Sequence, residues 1–347
     1  RLTPPGRGAV ATVLVEGPGA VEVVDAHFHA RNRRRLSDSP TDTPVVGRFA
    51  SKTGEEIVAR RRCDRSVELH CHGGHATVAR IEQTLARSGC RAVTWQDWGA
   101  ERHPDPIAAA AQKALAEART ERTAAILLDQ YCGALRRALD EIEEARRRGD
   151  TESAHQKAEV LLARADLGRH LVRPWQVVLA GRPNVGKSSL INGLVGYPRA
   201  IVHHTPGTTR DVVSALTAID GWPVEISDTA GLHGVADALE RAGMALAREK
   251  LAAADLVVLV FDGSVSWSDA DRELIESYPD APIVHNKCDL PCSPTGRPAG
   301  LATSAVTGAG IEDLLAVIAA RLVPDPPLPG AAVPFTDEVI EYLAQGD

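Results

Sequence analysis

At 347 residues the chain is too long for one typical domain, so two or three are expected. A hydrophobic content of 44% with 24% charged residues is that of a globular protein and excludes a wholly disordered one. The net charge of −7 argues against a nucleic-acid binder driven by global charge, while leaving local basic patches open.

Six cysteines, at 63, 71, 90, 132, 288 and 292, form no CxxC pair and no disulfide framework. They read as reduced thiols, which makes the cytoplasm the expected location. No apolar run reaches the roughly 18 residues of a membrane span, so no membrane association is expected. No signal-peptide pattern is visible.

Taken in order, residues 1–100 read as a mixed α+β unit. Strands are expected at Val10–Val15, Val45–Phe49, Ile57–Ala59 and Ser66–Cys71, separated by Gly, Ser and Asp signals. A helix is expected at Ala76–Arg87, through Val78, Ile81 and Leu85. The run RNRRR at Arg31–Arg35 lies in a Ser/Asp/Pro-rich loop and reads either as solvated surface or as RNA contact. Residues 105–172 turn rich in Ala, Glu, Arg and Leu. Ile126, Leu127, Tyr131, Leu135, Leu139 and Ile142 recur at helical spacing, which predicts one helix ended by Gly149–Asp150. A second is expected over roughly Ser153–Gly168, antiparallel to the first.

Residues 173–323 alternate strand and helix, the pattern of a doubly wound sheet. Strands are expected at Trp175–Ala180, Val212–Ile219, Val224–Ser227, Leu256–Phe261, Ile283–His285 and Leu301–Thr303. Helices are expected near Lys187–Val195, Ala238–Ala252, Asp269–Ser277 and Ile311–Leu322. A stiff linker, Pro324–Pro329, and a short helix near Thr336–Ala344 follow. The expected fold class is therefore multidomain α/β. It comprises an N-terminal α+β domain (1–104), a helical segment (105–172), a P-loop domain with a doubly wound, mostly parallel sheet (173–323), and a linker with a short helix (324–347).

The chemistry concentrates in the third part. Gly181–Ser189, GRPNVGKSS, fits G-x-x-x-x-G-K-[ST] between an apolar strand and a helix. Its glycines let the backbone wrap a phosphate chain, and N–H groups from Asn184 through Val185, Gly186, Lys187, Ser188 and Ser189 can point at it. Lys187 supplies a point charge for the outer phosphates, and Ser188 can ligate Mg²⁺. NKCD at Asn286–Asp289, with Lys287 between, places a carboxylate at a strand end, where it can accept both N–H groups of a guanine edge. Ser304–Ala305 suits a backbone N–H contact to the guanine oxygen. Asp228 of DTAG can hold Mg²⁺ through water, the Gly231 N–H can sense the terminal phosphate, and Thr209 of GTTRD supplies a second Mg²⁺ ligand. GTP, GDP and Mg²⁺ are thus the expected ligands.

These motifs, in this order, resemble the translation-factor-related GTPases. Within that group the chain resembles the tRNA-modification GTPase MnmE (TrmE) family. TPPGRG (Thr3–Gly8), ELHCHGG (Glu68–Gly74), GRPNVGKSSLING (Gly181–Gly193), AIVHHTPGTTRDVV (Ala200–Val213), DTAGL (Asp228–Leu232) and LERAGMALAR (Leu239–Arg248) carry the likeness. The resemblance implies GTP hydrolysis in wobble-uridine modification of tRNA, with an MnmG-like FAD protein as partner. Leu232 stands where many GTPases carry a water-orienting Gln. The resemblance assigns that work to Glu240, acting through a bridging water, with Lys187 and Thr209 in the catalytic set. It also implies K⁺ held by Asn184 and by oxygens at His203, Thr205 and Thr208, with Thr208 among the nucleotide contacts. Hydrolysis would be completed when two GTPase domains meet, in a homodimer held by the N-terminal domains.

The resemblance further implies a one-carbon tetrahydrofolate on the N-terminal domain. Glu68 matches that site, but Leu14 stands where a strand Arg is expected, and no Cys follows Cys292. A diverged paralogue acting as a GTP-controlled binding switch on RNA or ribosomes is the alternative reading. His70, Cys71, His72 and His75 have zinc-ligand chemistry, yet strand alternation turns Cys71 away from His70 and His72, and no second ligand pair stands out.

Overall fold

The computed structural model describes residues 1–3, 8–100, 102–196, 214–228, 251–291 and 296–345. The chain divides into two compact units, Arg1–Pro104 and Asp105–Asp347.

The first unit is an antiparallel sheet with helices packed on its core. Its strands are β1 (Val10–Glu16), β2 (Phe28–Ala30), β3 (Pro44–Phe49), β4 (Glu55–Cys63) and β5 (Ser66–His72), in spatial order β1-β5-β4-β3-β2. Strand alternation decides which face is covered. Val13 and Val15 of β1, Leu69 and Cys71 of β5 and Ile57 of β4 point into the core. Val78, Ile81 and Leu85 of α2 (His75–Arg87) close it, at the spacing of one helix face. The expectations missed a helix, α1 (Ala20–His27), whose Ala20, Val21 and Val24 are buried. Its run AVEVV is rich in β-branched residues and carries no side-chain cap, so its local signal is weak. A short helix, α3 (Trp95–Ala100), follows.

The second unit begins with α4 (Pro106–Glu117), capped by Asp105, which accepts from the Ile107 N–H at 3.1 Å and has Pro106 in the first turn. The single helix expected through Ile142 is two helices, α5 (Glu121–Tyr131) and α6 (Ala134–Arg147), broken at Gly133, where φ is +91°. The apolar positions therefore serve different cores. Leu127 packs with Leu171 and Val333, whereas Leu135, Leu139 and Ile142 pack with Ile107, Ala154 and Leu161. Tyr131 is 38% exposed. Next come α7 (Thr151–Leu162), capped by Asp150, and α8 (Ala165–Arg169).

The six-stranded sheet of this unit has the order β11-β10-β9-β6-β8-β7. The strands are β6 (Trp175–Ala180), β7 (Ser214–Ile219), β8 (Trp222–Asp228), β9 (Leu256–Asp262), β10 (Ile283–Asn286) and β11 (Leu301–Ala302). All pairs are parallel except β7 with β8. Helices α9 (Lys187–Val195), α10 (Asp269–Ser277) and α11 (Ile311–Leu322) accompany it. Leu190 and Leu194 of α9 and Leu314 and Ile318 of α11 pack on Val177, Leu179 and Val258 from one side, while α10 covers Leu259 and Phe261 from the other. Residues 212–213 of the strand expected at Val212–Ile219, and nearly all of the helix expected at Ala238–Ala252, lie outside the described residues.

The C-terminal helix α12 (Asp337–Ala344) returns to the helices and buries Ile340 and Leu343. The strand of chain before it is tied down by Gln130, fully buried, which donates to the Ala331 carbonyl at 3.0 Å and accepts from the Val333 N–H at 3.1 Å. Arg164 donates to the Ala332 carbonyl at 3.0 Å. Gly168 is needed where the segment crosses α8, because a Cβ there would lie 1.7 Å from the Pro334 carbonyl oxygen.

Candidate functional site

In the sheet order, β6 stands between β8 and β9, the point from which the chain winds to either side. The crevice past its carboxyl end is where ligands bind in open α/β sheets. The loop Gly181–Gly186 leaves β6 here and opens α9. Gly186 has φ +95°, and a Cβ would sit 2.4 Å from Asn286 Nδ2, so both conformation and space demand glycine. Asn184 also has a positive φ, +66°, which Asn tolerates better than most residues. The free N–H groups of the α9 start and the helix dipole make this loop an anion cradle.

Lys187 is the first residue of α9, with a side chain 2% exposed. Its Nζ donates to the carbonyls of Gly181 (2.9 Å) and Arg182 (3.0 Å) and lies 3.6 Å from Asp228 Oδ1. Burial pushes its pKa below the ordinary lysine value, and the Asp228 charge partly offsets this. The Ser188 Oγ donates to Asp228 Oδ2 at 2.7 Å. Asp228 ends β8, and the β6–β8 register, with Leu179 opposite Asp228, delivers it to the loop. A hydroxyl and a carboxylate that close are hard oxygen donors of the kind Mg²⁺ selects, so the residues fit that ion.

Asn286 is 1% exposed and spends its amide on protein partners. Its Nδ2 donates to the Val185 carbonyl at 3.0 Å, and its Oδ1 accepts from Thr303 Oγ1 (3.3 Å) and the Ala305 N–H (3.2 Å). The residue thus braces the phosphate loop against the Ser304–Ala305 turn. The Ala305 N–H, expected to meet the guanine oxygen, is held by Asn286 in this structure. Ser304 is fully buried; its Oγ donates to Asp289 and accepts from the Val306 (3.2 Å) and Thr307 (3.1 Å) N–H groups. Asp289 is itself exposed, with the Ser304 hydroxyl on one carboxylate oxygen.

Two partners were not legible in the motifs. Lys287 Nζ donates to the Asn184 carbonyl at 2.8 Å and to Asp262 Oδ2 at 2.6 Å. Burial opposes the Asp262 charge, but the Lys287 and Ser264 hydrogen bonds outweigh it and hold the carboxyl below its ordinary range. Arg182 reaches Ser268 Oγ (2.9 Å) and Asp271 (3.3 Å), whose carboxylate closes the capping box of α10. An acidic residue ending an apolar strand was the available signal for Asp262; Arg182 had none. Ser189 follows Ser188 on α9 and is exposed. His203, Thr205, Thr208, Thr209, Gly231 and Glu240 lie outside the described residues.

In the first unit, Glu68 does not offer a free carboxylate. Its side chain is 13% exposed, accepts from Arg62 Nη1 at 2.7 Å and has Arg60 Nη1 at 3.8 Å. Leu14, directly opposite Glu68 on β1, adds an apolar neighbour. The unit has a cavity of about 830 Å³, lined by Leu14, Glu16, Trp95 and Trp98 but not by Glu68. These residues do not fit the one-carbon tetrahydrofolate. His70 bonds Thr12 at 3.0 Å, His72 bonds Glu55 at 2.6 Å and Cys71 is buried. Among the described residues no group of three or more His, Cys, Asp or Glu side chains is placed to hold a metal.

A phosphate cradle at the switch point, a Lys–Ser–Asp cluster beneath it, and an Asp-bearing turn braced to it define a P-loop GTPase. The family model described as "50S ribosome-binding GTPase" matches residues 176–287. The chain is 32% identical to the tRNA modification GTPase MnmE of Parasynechococcus marenigrum (strain WH8102), over 91% of this chain and 79% of that protein. It is 32% identical to the MnmE of Bacillus velezensis, over 90% and 79% of the two chains, and 31% identical to that of Moorella thermoacetica, over 97% and 83%. The chain belongs to the MnmE family of GTPases.

Proposed function

We propose that this GTPase acts in the modification of tRNA, the activity carried in its relatives' names, and that K⁺ and self-association raise its rate. The observation that supports the reading is the convergence of Lys187, Ser188 and Asp228 under a glycine-shaped loop. Incoming β- and γ-phosphates replace the Gly181 and Arg182 carbonyls as partners of Lys187, which neutralises charge gathering on the leaving group. Ser188, Asp228 and Thr209 would hold Mg²⁺, which would supply electrostatic stabilisation of the phosphate charge. Asp289 selects guanine, since adenine leaves its carboxylate unpaired. Asn184, with His203, Thr205 and Thr208, is assigned to K⁺, and Glu240 to holding the attacking water. A tRNA, an MnmG-like FAD protein and a second copy of the chain are the proposed partners.

The GTPase rate is expected to be higher in K⁺ than in Na⁺ at equal ionic strength. Glu240→Ala should lose turnover, by about 10²–10⁴-fold, with GTP affinity retained. Equal rates in the two salts remove the K⁺ assignment. One observation favours a second reading, a GTP-controlled switch on RNA or ribosomes without modification chemistry: Arg62 already neutralises Glu68. Nucleoside analysis of tRNA from a deletion strain separates the two, since only the first requires the wobble uridine to change.

A further inference from the structure

The arginine run Arg31–Arg35 has no part in the nucleotide site. It occupies the connection between β2 and β3, and Arg31, Arg33, Arg34 and Arg35 are all exposed. On the neighbouring sheet, arginines are matched with carboxylates: Arg60 with Asp42 at 2.9 Å, Arg61 with Asp64 at 3.1 Å, Arg62 with Glu68 at 2.7 Å. The four loop guanidinium groups make no such pair among the described residues. Three acids lie near them in sequence, and among the described residues none forms an ion pair with them; Asp38, in the loop itself, is exposed. Asp25 accepts the N–H groups of Leu36 (2.6 Å) and Ser37 (3.1 Å), and Asp42 is held by Arg60 and Arg62.

The backbone carrying these charges is fixed. The Arg31 N–H donates to Val46 at 2.9 Å, the Arg33 N–H to Ala30 at 3.0 Å, and Arg61 donates to the Ser39 carbonyl at 2.7 Å. Leu36 is fully buried beneath the loop. Four like charges over five residues repel one another, and an array held without ion pairs on a pinned backbone leaves a net positive potential, which Asp25 and Asp38 reduce but do not cancel. Guanidinium groups match phosphate oxygens in a bidentate fork. The loop does not line the cavity of this unit, which points to an extended phosphate chain rather than a small anion. Its single large apolar residue is the buried Leu36, so it has nothing to insert into a lipid surface. It has no aromatic side chain on which to stack bases, so it would position an RNA rather than read it.

We propose that the loop 31–39 contacts the phosphate backbone of a folded RNA through Arg31, Arg33, Arg34 and Arg35. This rests on the tRNA-modification reading and gives it a surface. The test is the affinity of the full chain for a fluorescein-labelled, unmodified tRNA transcript, by anisotropy, between about 50 and 200 mM KCl. Replacing all four arginines (Arg31→Ala, Arg33→Ala, Arg34→Ala, Arg35→Ala) should reduce the slope of log K against log salt by about 3. Affinity near the middle of that range should fall roughly 10- to 100-fold. The four-lysine variant should keep most of the slope, because counterion release needs charge rather than shape. Arg34→Glu, a single change at an exposed position, should lower the slope by at least about 1. GDP affinity and melting temperature serve as the folding control and should not change. If wild type and the alanine variant bind tRNA with the same slope, the loop is not the surface and the tRNA reading stands. If wild type fails to bind tRNA, the proposal and the tRNA reading fall together. Arginine-dependent binding to phosphatidylserine vesicles without tRNA binding would replace the proposal with a membrane contact.

Discussion

At the residue scale the nucleotide site is held by side chains that do not need to touch the nucleotide. Asn286 satisfies a carbonyl of the phosphate loop and an N–H of the Ser304–Ala305 turn with one amide. Removing it leaves two polar backbone groups of the site without their partner, at about 1–3 kcal/mol. Asn286→Ala should therefore speed GDP release by roughly 10- to 100-fold in stopped-flow displacement. An unchanged rate would mean that the brace is dispensable. The motif NKCD was legible as a guanine reader, but its division of labour was not. Asp289 is exposed, whereas Asn286 and Lys287 are turned to the loop, because β10 ends beside it and they donate to the carbonyls of Val185 and Asn184.

At the element scale, helical spacing found the apolar stripe but not the break inside it. Leu127 and Leu135 stay in phase with one helix, yet the chain turns at Gly133, and the two halves enter different cores. In the structure the helix starts are capped: Asp105, Thr120, Asp150, Ser268 and Thr336 each accept from a first-turn N–H. Asp105 also binds Arg136 Nη2 on α6 at 2.8 Å. Burial opposes its charge, but Arg136 and the Ile107 and Ala108 N–H groups outweigh that and hold its pKa below the ordinary value. A depressed folded value means stability present above about pH 4 and lost as pH falls through the folded pKa. Asp105→Asn keeps the cap and removes the ion pair. It should cost about 0.5–1 kcal/mol at neutral pH, read by calorimetry, and the difference should vanish in strong acid. A pH-independent difference would assign the loss to the cap.

At the scale of the whole molecule, the second unit is closed by its own C-terminal segment. Gln130, Arg164 and Gly168 receive the backbone of residues 331–334, and α12 completes the core of α6 and α7. Gly168→Ala forces a methyl into the Pro334 carbonyl. It should destabilise this unit by about 1–3 kcal/mol, a drop of roughly 5 °C in calorimetry. No change in melting would show that the segment can move aside without cost. The sequence alone determined the strand–loop–helix of the phosphate site and the positions along the chain of most strands of the sheet around it. Those features are written in contiguous residues whose backbone conformation and periodicity are local properties. The tertiary structure decided which charges are spent and which are free: Glu68 bound to Arg62, Lys287 bound to Asp262, and Arg31–Arg35 left unpaired among the described residues. Pairing energy depends on distances between groups far apart in the chain, and sequence spacing carries no record of those distances.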